Sequence, residues 1–218
     1  LNIIISMKKI ILLIIFASLN IYGQNSEQQK FTFAKSFEQS GDYKTAARMY
    51  KELFDNSPQN NEYFNGLVRT YKGLYQYSEL KSIISEHLKY DKSVETFNLF
   101  AEMLWRTGSP DSANTFWEKA EEIQPKLSKT YLTISNTQVE LQLYSKAINT
   151  LKNGRDELDQ EYIFSDDLCK LYIAVGNYKE GTVESLNLLK QTKKIALAQG
   201  RLSALMINSE ANKYIKEV

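Results

Sequence analysis

Apolar residues in this chain recur three and four positions apart, the spacing that lines one face of an α-helix, and the segments carrying them recur at a longer period. Short turns separate the segments. They read Gly41-Asp42-Tyr43 followed by Ala46, Tyr75-Gln76-Tyr77 with Leu80, Gly108-Ser109-Pro110 with Ala113, Gln142-Leu143-Tyr144 with Ala147, and Gly176-Asn177-Tyr178 with Gly181. The third residues of these turns, Tyr43, Tyr77, Pro110, Tyr144 and Tyr178, stand 34, 33, 34 and 34 apart. So regular a period is the signature of one supersecondary unit used repeatedly.

The flanking positions keep the same period. Six residues before each turn residue come Phe37, Tyr71, Leu104, Gln138 and Tyr172, of which only Gln138 departs from an apolar or near-apolar type. Three further back come the compact residues Ala34, Val68, Ala101, Ser135 and Cys169, preceded by Phe33, Leu67, Phe100, Ile134 and Leu168. After the turn run Tyr50, Ile84, Trp117, Leu151 and Ser185, then Leu53, His87, Ala120, Gly154 and Leu188. Pro58 and Pro125 close two of the units, where proline stops a helix. Each unit therefore reads as two short helices joined by a tight turn. A glycine ahead of the turn accepts the left-handed backbone that ends the first helix. The compact residues let the helices approach, and the aromatics fill the space around them. One such unit cannot hide its apolar face alone, so the units must stack in a line.

In these residues the chain resembles the tetratricopeptide repeat family. The third unit carries the fullest set, Phe97, Phe100, Ala101, Leu104, Gly108, Pro110, Ala113, Trp117, Ala120 and Pro125, and the first is nearly as complete from Phe33 to Pro58. The second, fourth and fifth are degenerate but in register. The resemblance implies an all-α, right-handed superhelical solenoid of antiparallel helix pairs. It would hold about five repeats, at 27–60, 61–93, 94–127, 128–161 and 162–193, and a partial sixth at 194–218 that reads as truncated. It also implies a protein-protein interaction scaffold, not an enzyme, although a scaffold does not fix its ligand. The segments Ile195 to Ile207 and Glu210 to Val218 read as the two helices of the sixth unit, with no polar closing helix after them. A second reading follows: the array is the arm of a longer protein with a catalytic or signalling domain beyond Val218.

The N-terminus has a different pattern. Lys8 and Lys9 precede an almost wholly apolar run from Ile10 to Leu19, and Asn20-Ile21-Tyr22-Gly23 ends in a small residue. This is the layout of a secretory signal peptide cleaved between Gly23 and Gln24, with Met7 as initiator and Leu1 to Ser6 as an upstream extension. The expected location is periplasmic or extracellular, the alternative being an uncleaved membrane anchor. Cleavage takes two of the 27 basic residues and leaves the remainder one charge short of the 26 acidic ones. That balance gives no electrostatic case for nucleic-acid binding. Apolar residues at 43% suffice for a substantial core. With Cys169 the sole cysteine, an exported chain must be stabilised by packing alone.

The chemistry of a reaction centre is sparse. One histidine and one cysteine exclude the usual zinc spacings and any multi-histidine site. His87 and Cys169 both fall on helix-packing positions, where core packing accounts for them. No phosphate-cradling GxxxxGK[ST] or GxGxxG occurs, and Asp166-Asp167 and Glu121-Glu122 read as solvated helix faces. We expect no catalytic, cofactor or metal site.

Solenoids of the family hold extended or helical peptides on the concave face lined by the first helices. The outward positions of those helices here are Lys35, Asn65, Arg69, Lys72, Asn98, Glu102, Trp105, Arg106, Asn136 and Lys170. Asparagine can bond a peptide backbone, and lysine and arginine can pair with carboxylates, so the expected occupant is an acidic segment or a carboxylate terminus. The family's chaperone-type carboxylate clamp does not carry over, because its leading lysine and asparagine positions hold Phe31 and Lys35.

Overall fold

A computed structural model describes residues 26–192, 195–207 and 211–215. The expected leader and upstream extension, 1–23, lie outside the described residues. All regular structure among the described residues is helical. Helix α1 spans 26–39, followed by α2 Tyr43–Asn56, α3 Asn61–Gly73 and α4 Tyr77–His87. Next come α5 Val94–Arg106, α6 Pro110–Ile123, α7 Ser128–Glu140 and α8 Tyr144–Leu158. The series ends with α9 Ser165–Ala174, α10 Tyr178–Thr192, α11 Ile195–Met206 and the short α12 Ala211–Ile215. None of the described helices is long and apolar enough to cross a membrane.

Local chemistry starts and stops these helices where the turns predict. Asp42 caps α2 by accepting from the Thr45 amide at 3.1 Å, and Asn60 caps α3 by accepting from the amides of Glu62 and Tyr63. Pro110 occupies the first position of α6, where its missing N–H is no loss. Gly41, Gly108 and Gly176 end the first helix of their pairs with φ of 84°, 80° and 75°. The other two pairs make the same left-handed turn without glycine: Tyr75 has φ 57° and Gln142 φ 60°. All five turns thus have one backbone geometry, set by the need to fold the second helix back on the first.

The chain divides into two compact units, one up to Asp91 and the other from Lys92. In the first, Phe31 of α1 packs against Tyr50 of α2 and Tyr63 of α3, with ring centroids 6.0 and 5.3 Å apart. Around them Ala34, Ala46, Leu53, Phe54 and Leu67 are fully buried or nearly so. His87 is wholly buried, stacked 3.8 Å from the Phe64 ring, with Nδ1 2.8 Å from the Pro58 carbonyl oxygen. Because a carbonyl only accepts, Nδ1 carries the proton there. One position of the repeat is covered unevenly. Phe33 is 57% exposed and Phe100 half-buried, whereas their equivalents Leu67, Ile134 and Leu168 are completely buried.

The second unit repeats the arrangement through α5–α10. Trp117, Ala101, Ala113, Ala120 and Ile134 form one cluster; Tyr131, Ala147, Leu151, Phe164 and Leu168 form the next. Gly154 lets α8 approach closely: a Cβ there would stand 2.5 Å from the Tyr131 ring. Helices α11 and α12 pack on α10, and Arg201 of α11 reaches back to Asp166 of α9 at 2.6 Å. Burial pushes the Asp166 carboxyl up, but hydrogen bonds from Arg201 and Lys170 outweigh it and hold the group below its ordinary range.

Candidate functional site

In the first unit, α1 and α3 carry corresponding positions of adjacent pairs, and their side chains meet over the turn that opens α2. Lys35, Glu38 and Gln39 of α1, Tyr43 of α2 and Arg69 of α3 line a recess of about 520 Å3. The helical spacing of 35, 38 and 39 puts these three residues on one face. Arg69 grips Glu38 through two nitrogens, Nε on Oε1 and Nη2 on Oε2 at 3.0 Å. From below, the Tyr50 hydroxyl donates to Glu38 Oε2 at 2.7 Å. The Arg69 hydrogen bond holds the Glu38 carboxyl below its usual range, against an opposing push from burial. Burial, with the Glu38 bond, drives the Tyr50 phenol well up. Glu38 is therefore a fixed anion that orients Arg69. Lys35 has no carboxylate within 4.0 Å among the described residues, and its ammonium sits 5.3 Å from the Phe31 ring centroid. A second, smaller recess of about 310 Å3 adjoins Lys35 on the α1 surface, lined by Gln28, Phe31, Thr32 and Gln39.

The remaining residues expected on the outward row fall into different environments. Asn65 of α3 and Asn136 of α7 are exposed, and Lys72 is half-buried. Asn98 is not outward: it is 6% exposed and locked by three contacts within its own unit. Its Oδ1 accepts from Trp117 Nε1 at 3.0 Å, while its Nδ2 donates to Thr137 Oγ1 at 2.8 Å and reaches Thr133 O at 3.5 Å. Glu102 is likewise buried and accepts from Arg106 Nε at 2.9 Å, one turn along the helix. Trp105 is half-buried against Trp117, with ring centroids 5.9 Å apart, rather than standing free on the outward row. Lys170 is paired to Asp166 and stands 3.9 Å from Asp167. The structure thus brings Lys35 and Arg69 together around one recess, and in the second unit it ties Asn98, Arg106 and Lys170 into internal pairs.

Glu38, Gln39 and Tyr43 were missed as recess residues. The signal for Glu38 was present in its spacing. It follows Lys35 by three and sits one repeat, less three residues, ahead of Arg69, the offset at which adjacent first helices face each other.

Cys169 and His87 are both packed inside the helical core. Cys169 is buried with Sγ 3.4 Å from Ser185 Oγ, and burial pushes its thiol up, away from the thiolate. Among the described residues no group of three His, Cys, Asp or Glu side chains is placed to hold a metal ion.

Among solved structures the chain is similar to the MamA protein, with TM-score 0.52 and 16% identity over 78% of this chain and 93% of that one. It is also similar to PilW, a widely conserved type IV pilus biogenesis factor, with TM-score 0.51 and 16% identity over 86% and 90%. A thermophilic TPR protein of Thermus thermophilus aligns over 83% of this chain and 99% of its own length, at 19% identity and TM-score 0.49. Identities this low speak to the fold alone. No protein-family model matches the chain, and no curated protein is similar to it.

Proposed function

We propose that this chain, which has the all-α fold of the tetratricopeptide repeat proteins, is an exported scaffold that holds a polypeptide partner on its first-helix surface. One observation carries the reading: Lys35 and Arg69, from equivalent positions of adjacent repeats, line a single open recess. A recess of that size takes a short stretch of peptide and no more. Lys35 brings an ammonium with no carboxylate of its own, and Arg69 keeps Nη1 outside its grip on Glu38. Two cations facing one opening suit an acidic side chain or a chain-terminal carboxylate. Glu38 sets the limit, since an anion that approached Arg69 head-on would meet it. The carboxylate is therefore expected to seat nearer Lys35, with Gln39 available to bond the peptide backbone. Asn65 and Lys72, exposed and half-buried on the same helix as Arg69, extend the contact within the first unit.

Export rests on the sequence of the leader, Lys8-Lys9 followed by the apolar run, and on a single-cysteine chain that needs no disulfide. Mass determination of the protein recovered from a periplasmic fraction checks it: the expected N-terminus is Gln24.

The binding reading is tested by titrating the full chain with an acidic peptide, in free-carboxylate and amidated forms, by calorimetry. The expected outcome is salt-sensitive binding that falls about tenfold in Lys35→Glu, the loss of one charge-assisted contact plus a repulsion. Undiminished affinity in Lys35→Glu, with the helical circular dichroism unchanged, would remove the recess from the interaction.

A further inference from the structure

The repeat departs from its own pattern at one place in the second unit, and the departures meet in space. Gln138 stands where the other repeats have Phe37, Tyr71, Leu104 and Tyr172. Glu121 stands where three of the others have Phe54, Leu88 and Leu189, and Thr150 where three have Met49, Ile83 and Phe116. These three residues line one recess of about 260 Å3 between α6 and α8, walled by the Trp117 indole and rimmed by Asn149 and Asn153. Gln138 and Thr150 are 3% and 4% exposed, and Thr150 Oγ1 donates to Gln138 Oε1 at 3.0 Å. That bond leaves the Gln138 amide nitrogen without a partner among the described residues. Neither Glu118, which also lines the recess, nor Glu121 has a cation within 4.0 Å among the described residues. Burial pushes the Glu121 carboxyl up; the Asn153 and Thr150 side chains pull it back, and Glu118 and Glu157 push it further. Lys146 also lines the recess, with its ammonium turned over the Trp105 ring, 5.8 Å from the centroid, and making no salt bridge to either carboxylate.

One repeat later the same two positions show what such a place holds. Arg155 is the equivalent of Glu121, and Glu184 the equivalent of Thr150. They form a fork-to-fork pair, Nη1 to Oε1 and Nη2 to Oε2, both at 2.6 Å. Arg155 also donates to Ile163 O at 2.7 Å and Ser165 Oγ at 3.0 Å. In that repeat the fold encloses a guanidinium among a carboxylate, a hydroxyl and a carbonyl. In the recess before it the carboxylates, the hydroxyl and the amides are present and the guanidinium is not.

We propose that the α6–α8 recess receives an arginine side chain presented by a partner polypeptide. Its volume suits one long side chain and excludes a folded segment. A guanidinium offers five N–H donors in a plane, matching Glu118, Glu121 and the amide oxygens, and its face suits the indole wall. Because a hydroxyl donates or accepts, the Gln138 amide can turn either end to the occupant. Asn149 and Asn153 at the rim are placed for the main chain on either side of the arginine. This inference shares with the proposed function only that the chain binds polypeptides; it concerns another surface and the opposite charge.

The test is a titration of the full ¹⁵N-labelled chain with acetyl-Gly-Arg-Gly-amide, followed through the side-chain amide signals of Gln138, Asn149 and Asn153 and the Trp117 indole signal. Acetyl-Gly-Gln-Gly-amide and spermidine serve as comparisons. Saturable shifts with the arginine peptide, weakened about tenfold in the doubly isosteric Glu118→Gln, Glu121→Gln chain, are expected. Both variants keep hydrogen-bonding side chains, so the fold is expected to survive, and circular dichroism checks it. The proposal is overturned by absence of shifts at these four side chains, by equal affinity in the double variant, or by spermidine binding as tightly as the peptide. Lys35→Glu is expected to leave this titration unchanged while weakening the acidic peptide. The reverse pattern in the double variant separates failure of one site from failure of the other.

Discussion

At the scale of single residues, the five turns show a backbone demand that the side chain does not always suit. Gly41, Gly108 and Gly176 meet a left-handed turn at no steric cost, whereas Tyr75 and Gln142 make the same turn with a Cβ close to the following carbonyl. Replacing Tyr75 or Gln142 with glycine is expected to raise stability by about 1 kcal/mol each, read as a shift in the urea midpoint at unchanged slope. Tyr75 is well exposed and its ring contact is to Tyr77 alone among the aromatic pairs, so little packing is lost. A second residue-scale expectation concerns pH. The folded Glu38 carboxyl lies below its reference value of 4.5, chiefly through Arg69. A depressed carboxyl contributes stability that is whole above the unfolded value and is lost as pH falls through the folded one. Glu38→Gln should therefore reduce the thermal midpoint at pH 7 and flatten its decline below about pH 4.5. Parallel acid limbs in the two proteins would show that Glu38 is not the group responsible.

At the scale of helices, packing distance is set by where the repeat places a residue without a side chain. Gly154 lies against Tyr131 and Phe164, and an added Cβ would stand 2.5 and 3.0 Å from their rings. Gly154→Ala must push α8 from α7 and is expected to cost about 1–3 kcal/mol. Gly200 in α11 gives the opposite expectation. Nothing lies within 4 Å of an added Cβ there, so Gly200→Ala gains about 0.5–1 kcal/mol from helix propensity. Denaturant unfolding of the two variants checks both signs. The helix pairs and their turns were legible because apolar spacing and turn chemistry act locally, as the matching of Asp42, Asn60 and Pro110 to helix starts shows. The outward row was less legible. Asn98 sits at a first-helix position that reads as solvent-facing, and only the approach of Trp117 and Thr137 from neighbouring helices makes it an internal bridge.

At the scale of the whole molecule, stability is organised by neighbours. In the second unit each helix pair touches the next and no further, so a fault at Gly154 should spread to the elements it adjoins. Amide hydrogen exchange of Gly154→Ala is expected to lose protection in α7, α8 and α9 while α5 keeps more of its own. Uniform loss through the unit would mean that it opens as one block. The sequence by itself determined the all-helical class, the period, the turns and most of the apolar residues that fill the core. These follow from short-range spacing and from the requirement that each pair cover the apolar face of the next. Tertiary structure alone decided which polar residues remain available. Lys35 keeps its charge open beside Arg69, Asn98 and Glu102 turn inward, and Glu121, Thr150 and Gln138 meet around one recess. A side chain's partners lie a repeat away along the chain, and its hydrogen bonds are settled only when the helices close on one another.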